Sequence, residues 1–173
     1  MAGGIMTARR SGNEGAGVPE GFDLTMALMD CLPVLFFSIS AGILAYRLKS
    51  TLFGVGIFLV ILAGAMKAGW KFVIALRKKD VPFLNRQMRV LMPAGFVLAL
   101  AALITDRNRW SPAAVMRHMT AFPAVIFFLA GVAGLFTLVF FARHLDHRDA
   151  AANWKEQMVN GITQFCVMLG IIF

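Results

Sequence analysis

Three ionisable side chains stand inside apolar runs of this chain. Asp30 lies in LTMALMDCLPVLFF, and Lys67 and Lys71 lie one helical turn apart in GAMKAGWKFVIAL. A charge within a bilayer is costly, so such residues pair, reach for water or mark a path for an ion. Their depths can be compared along a helix. Asp30 lies six residues past Leu24, where its run begins, which is about 9 Å at the helical rise. Lys71 lies six residues before Arg77, also about 9 Å, and Lys67 is about 15 Å deep. Only Arg47–Thr51 separates the two runs, so the helices must be antiparallel neighbours. Asp30 is therefore expected to pair with Lys71 or Lys67, because an unpaired carboxylate there would take up a proton.

A second pattern is made of amides. Asn153, Gln157, Asn160 and Gln164 fall at i, i+4, i+7 and i+11, on one face of a helix. Trp154, Met158, Phe165 and Ile172 fall on the other. Lipid cannot hydrogen-bond amides, so the stripe must meet protein. It serves either as packing, within the chain or across a homo-oligomer, or as the wall of a polar pathway. Asp30, Lys67, Lys71 and the four amides together form the candidate intramembrane polar site.

Other chemistry is sparse. His144 and His147, with Asp146 and Asp149, are of ligand type. A single histidine pair is nevertheless an incomplete set for zinc, and His118 falls on the opposite side of the membrane in this topology. A solvated charged segment is the expectation, with no metal and no haem. Cys31 and Cys166 form no CxxC motif and read as small thiols in apolar surroundings. Gly-rich phosphate loops, HExxH and GxSxG are all missing, so the reading is a non-enzyme without catalytic residues or cofactor.

The elements that hold these residues follow from the apolar runs. The chain has 173 residues and is 59% hydrophobic, above the 45–50% usual for soluble domains. Uninterrupted runs of about 20 residues fit a bilayer core. The fold expected is all-α, a polytopic membrane helical bundle of four transmembrane helices, 24–46, 52–76, 85–105 and 121–142, plus a fifth C-terminal one at 154–173. A re-entrant or surface-lying helix is the rival reading for the last. Residues 1–23, small and Gly-rich, read as a disordered cytoplasmic tail, and 24–173 as the membrane domain.

Several local features carry expectations of their own. Pro33 can kink the first helix, and Ser38-x-x-x-Gly42 offers close helix approach. Glycines and alanines recur along the second helix. Val90–Thr105, at about 24 Å, is short of a bilayer core, which makes Arg86 and Arg89 snorkel. Ser111-Pro112 starts a short helix whose Trp110, Met116 and Met119 suit a membrane surface. Ala130-x-x-x-Gly134 marks a packing face on the fourth span.

The net charge of +8 is concentrated at the ends of the runs. That pattern fits orientation and contact with anionic lipid headgroups, and nucleic acid is excluded by the lack of any basic-aromatic module. With five spans, twelve of the seventeen Lys and Arg residues fall on the N-terminal side, which places the N-terminus in the cytoplasm of a cell membrane protein. Two functions fit. One is a membrane-embedded binding or accessory protein, with lipid and a homo-oligomer or partner membrane protein as its contacts. The other is a small oligomeric transporter or channel for an ion or small anionic solute that uses the polar site.

Overall fold

A computed structural model describes residues 23–145 and 150–173. The described residues are helical, without strands, and four helices are long and apolar enough to cross a membrane. Residues 1–22 of the expected tail and the segment with Asp146, His147 and Asp149 lie outside the described residues, and Asp23 belongs to the start of the first helix.

Helix α1 (Leu24–Leu48) starts where the Asp23 carboxylate accepts the Met26 N–H at 2.7 Å, satisfying one of the open donors of a helix start. It runs through Pro33 without a break. Its end is set by Lys49, whose backbone turns left-handed (φ 50°), and the next residue, Ser50, already caps α2 (Thr51–Arg77) through a 3.1 Å bond from Phe53 N–H. Two residues thus reverse the chain, and α1 and α2 pack as antiparallel neighbours. A second left-handed lysine, Lys78, ends α2.

The third segment departs from a single helix over 85–105. It begins earlier, as α3 (Pro82–Arg86), and resumes as α4 (Met88–Thr105). Gln87 sits at the join, where its side-chain amide donates to the carbonyls of Ala63 and Leu84 at 3.2 and 3.0 Å. Together α3 and α4 make a 24-residue candidate span. The early start supplies the length the apolar core lacked, and Arg86 and Arg89 are both exposed. A 3-10 turn (Arg107–Arg109) and α5 (Pro112–Thr120) follow, with Pro112 in the first turn of α5. Ser111 stands at the cap position but its hydroxyl makes no capping bond. The chain ends with α6 (Ala124–His144) and α7 (Ala150–Ile172).

These helices form a row, with principal contacts in the order α4, α2, α1, α7, α6. Glycine permits the two closest crossings. A Cβ on Gly56 would stand 2.7 Å from the Ala99 nitrogen and the Gly95 oxygen, and one on Gly95 would stand 2.6 Å from the Gly56 oxygen. Between α6 and α7, Gly131 faces Val167 and Gly134 is pressed against Thr163. The packing face of α6 is thus Gly131 and Gly134, and Ala130 is exposed. Ser38 and Gly42 do not make the close approach their spacing suggested. Gly42 meets nothing within 4 Å, and the Ser38 hydroxyl bonds back to the Val34 carbonyl at 2.6 Å.

Helix α7 runs parallel to α1. Trp154 packs beside Met26, the Phe165 ring lies 5.2 Å from that of Phe36, and Ile171 lines a cavity with Leu44 and Leu48. It therefore follows α1 along nearly its whole length. The segment from Asp106 to Pro123, which holds α5, bridges the two edges of the row, α4 and α6.

Candidate functional site

Lys71 and Asp30 meet in the structure. The Lys71 ammonium lies 3.0 Å from Asp30 Oδ1, and the two side chains are 3% and 7% exposed. The pair follows from the tight α1–α2 turn, which brings residues 41 positions apart to one depth. Burial removes both groups from water, so the attraction offsets a desolvation cost, and the loss of either partner would strand the other charge.

Around the pair the neighbours divide by helix. On α2, Lys67 is half-buried one turn away, and it lies close enough for its charge to act on Lys71. Glu156 of α7 also acts on Lys71, with the opposite sign. Lys67, Lys71, Asp30 and Glu156 thus bring two basic and two acidic side chains to this end of the row. On the near side, Met26 and Ile74 are buried under Trp70 and Trp154. Trp70 donates its indole N–H to Asp80 at 2.7 Å, tying the basic loop after α2 to this end of the row.

The amide stripe of α7 faces inward at its start. Asn153 and Gln157 are buried, Asn160 and Gln164 are half-buried, and Met158, Ile162 and Phe165 point out. Gln157 is 4% exposed, and its side-chain oxygen is buried with no hydrogen-bond donor. It stands one turn beyond Trp154, as Asp30 stands one turn beyond Met26, so it comes level with the ion pair. Thr163, further along, is fully buried and bonds to the Val159 carbonyl at 2.7 Å.

Two participants escaped the sequence reading. Glu156 stands in the first half of α7, and the sequence reading gave it no role. Its place one residue before Gln157, on the rim of the amide face, was the available signal. Gln87 was hidden between Arg86 and Arg89.

Elsewhere the residues stay apart. Among the described residues, no three His, Cys, Asp or Glu side chains are grouped to hold a metal. His144 bonds the Phe140 carbonyl through Nδ1 at 2.9 Å and stacks on the Phe140 ring. His118 is bonded through Nε2 to the Gly170 carbonyl at 3.0 Å. Cys31 and Cys166 are free thiols, both half-buried.

The chain matches no family model, no curated protein and no solved structure. Four apolar helices are compatible with a membrane protein, and the buried polar set is what distinguishes this one.

Proposed function

We propose that this chain is a non-enzymatic, membrane-embedded binding or accessory protein of five spans. Its N-terminus is cytoplasmic and its polar site is a structural latch. One observation carries this reading: Lys71 meets Asp30 at 3.0 Å, and both side chains are almost wholly buried. The deepest carboxylate is neutralised by its partner rather than held ready for a travelling ion. The course of α7, alongside α1 for nearly its whole length, supports a fifth span even though its amides lower its mean hydropathy. The excess of Lys and Arg on the N-terminal side supports the orientation in a cell membrane. The edges α4 and α6, the least buried of the four apolar spans, are the faces offered to lipid, to a second copy or to a partner protein.

A second reading, a small oligomeric transporter or channel, has one observation in its favour. Gln157 keeps an unbonded buried oxygen at the level of the pair, and Lys67 is half-buried beside it. Proteoliposomes separate the two. Flux of H⁺, Na⁺, K⁺ and Cl⁻ no faster than in empty liposomes, unchanged by Lys67→Ala, is the expected result. Flux abolished by Lys67→Ala or Asp30→Asn would establish transport instead.

A further inference from the structure

At the end of the row away from the ion pair, the bridging segment borders a half-open cavity of about 530 Å³. Its size falls in the range of sites for small ligands, about 300–1,000 Å³. The walls come from the end of α1, the first turn of α2, the end of α4, the start of α6 and the last turn of α7, with α5 along one side. Ten of the fourteen lining residues are apolar, among them Leu48, Leu103, Val115 and Phe128. The other four are Arg47, Arg109, Ser111 and His118. No carboxylate lines it. Two guanidiniums, charged at any working pH, stand at its wall, and their planar donor sets match phosphate oxygens.

The enclosing segment is pinned, so the cavity is a built feature of the fold. Trp110 donates its indole N–H to the Leu103 carbonyl at 2.9 Å, with the Arg107 guanidinium 4.8 Å from its ring. His118 reaches the Gly170 carbonyl of α7 at 3.0 Å. Arg109 donates to the Lys49 carbonyl and lies 3.5 Å from Asp106, contacts that fix its position and leave further N–H donors over. Arg47 is exposed at the same rim.

We infer that this cavity is a binding site for an anionic phospholipid, holding one acyl chain against its apolar wall and the phosphate at Arg47 and Arg109. Apolar walls alone would accept any hydrocarbon. The two cations at the mouth select a negative head, and a bilayer is where such a head arrives already joined to a chain. The site stands apart from the basic loop at the opposite end, where Arg77, Lys78 and Lys79 are exposed. It goes beyond the latch reading, and transport in proteoliposomes would leave it standing.

The test is native mass spectrometry of the detergent-purified full chain, titrated with phosphatidylglycerol and phosphatidylcholine of identical chains and, separately, with inorganic phosphate. The site predicts phosphatidylglycerol binding about tenfold tighter than phosphatidylcholine, the worth of one hydrogen bond to a charged group. Arg47→Gln, at an exposed position, reduces that preference, and Arg109→Gln added to it removes the preference. Ala114→Phe, which fills the cavity from the exposed helix α5, weakens both lipids. Arg77→Gln, in the loop at the other end, changes neither. Equal affinity for the two lipids in the unmodified chain would overturn the inference. So would unchanged phosphatidylglycerol binding in Ala114→Phe, or its displacement by millimolar inorganic phosphate, which would mean a headgroup contact without a chain site.

Discussion

At the scale of residues, the buried polar groups differ in how fully they are satisfied. Asp30 and Lys71 share one contact at 3.0 Å, Gln87 spends its amide N–H₂ on two carbonyls, and Gln157 leaves its oxygen unbonded. A buried acceptor without a donor costs free energy, so its removal is cheap. Gln157→Leu should therefore leave the stability of the detergent-solubilised protein within about 1 kcal/mol of the starting value, or raise it. Gln87→Leu removes two bonds that tie the α3–α4 join to α2 and should lower stability by about 1–3 kcal/mol. Intrinsic fluorescence during heating reads both. A Gln157→Leu chain that loses as much as Gln87→Leu would show that its oxygen has a donor in the membrane. The depth match of Asp30 and Lys71 was legible because the turn between their helices is too short to permit any other arrangement. The role of Glu156 was not, because the polar face was traced through the amides alone and Glu156 stands one residue off it.

At the scale of elements, the row is held where backbones touch. Gly56 and Gly95 admit no side chain without moving α2 from α4, whereas Gly42 has open space around it. Gly95→Val should accordingly separate the pair and lower stability by several kcal/mol, in the way overpacked cores do at about 1–3 kcal/mol or more. Gly42→Ala should be neutral or raise stability by up to about 1 kcal/mol, since alanine favours a helix. Folded yield by size-exclusion chromatography and the thermal midpoint compare the two, and equal effects would contradict the crossing. Sequence pattern showed that α2 carries many small residues but could not tell which of them face a neighbour. Small-x-x-x-small spacing marks Ser38/Gly42 and Ala130/Gly134 alike, and only the second motif lies near a contact, shifted by one residue. The break at Gln87 was invisible for a similar reason. The side chain at the join is held by the Ala63 carbonyl of α2, distant in sequence.

At the scale of the whole molecule, the helix order α4, α2, α1, α7, α6 leaves two apolar edges and places α7 beside α1, pointing the same way. An odd number of spans follows from the five-span reading, so reporters at the two termini must lie on opposite faces of the membrane. Alkaline phosphatase fused after Phe173 should be active outside, while a fluorescent protein fused before Met1 should fluoresce inside; both tags on one side would leave four spans and α7 on the surface. The membrane character and the four apolar helices were legible from the apolar runs because a bilayer core sets their length. The cavity under α5 was not, since six separate segments build it and none is distinctive alone.

The central claim is that the buried pair latches α1 to α2, and a double-mutant cycle tests it most directly. Asp30→Leu and Lys71→Met, made singly and together, would be compared by thermal midpoint in one detergent. The latch predicts that each single change costs about 3–5 kcal/mol, the usual penalty for stranding a buried charge, and that the double variant regains most of that loss. A double variant no more stable than the worse single variant, or single variants as stable as the unmodified chain, would contradict it.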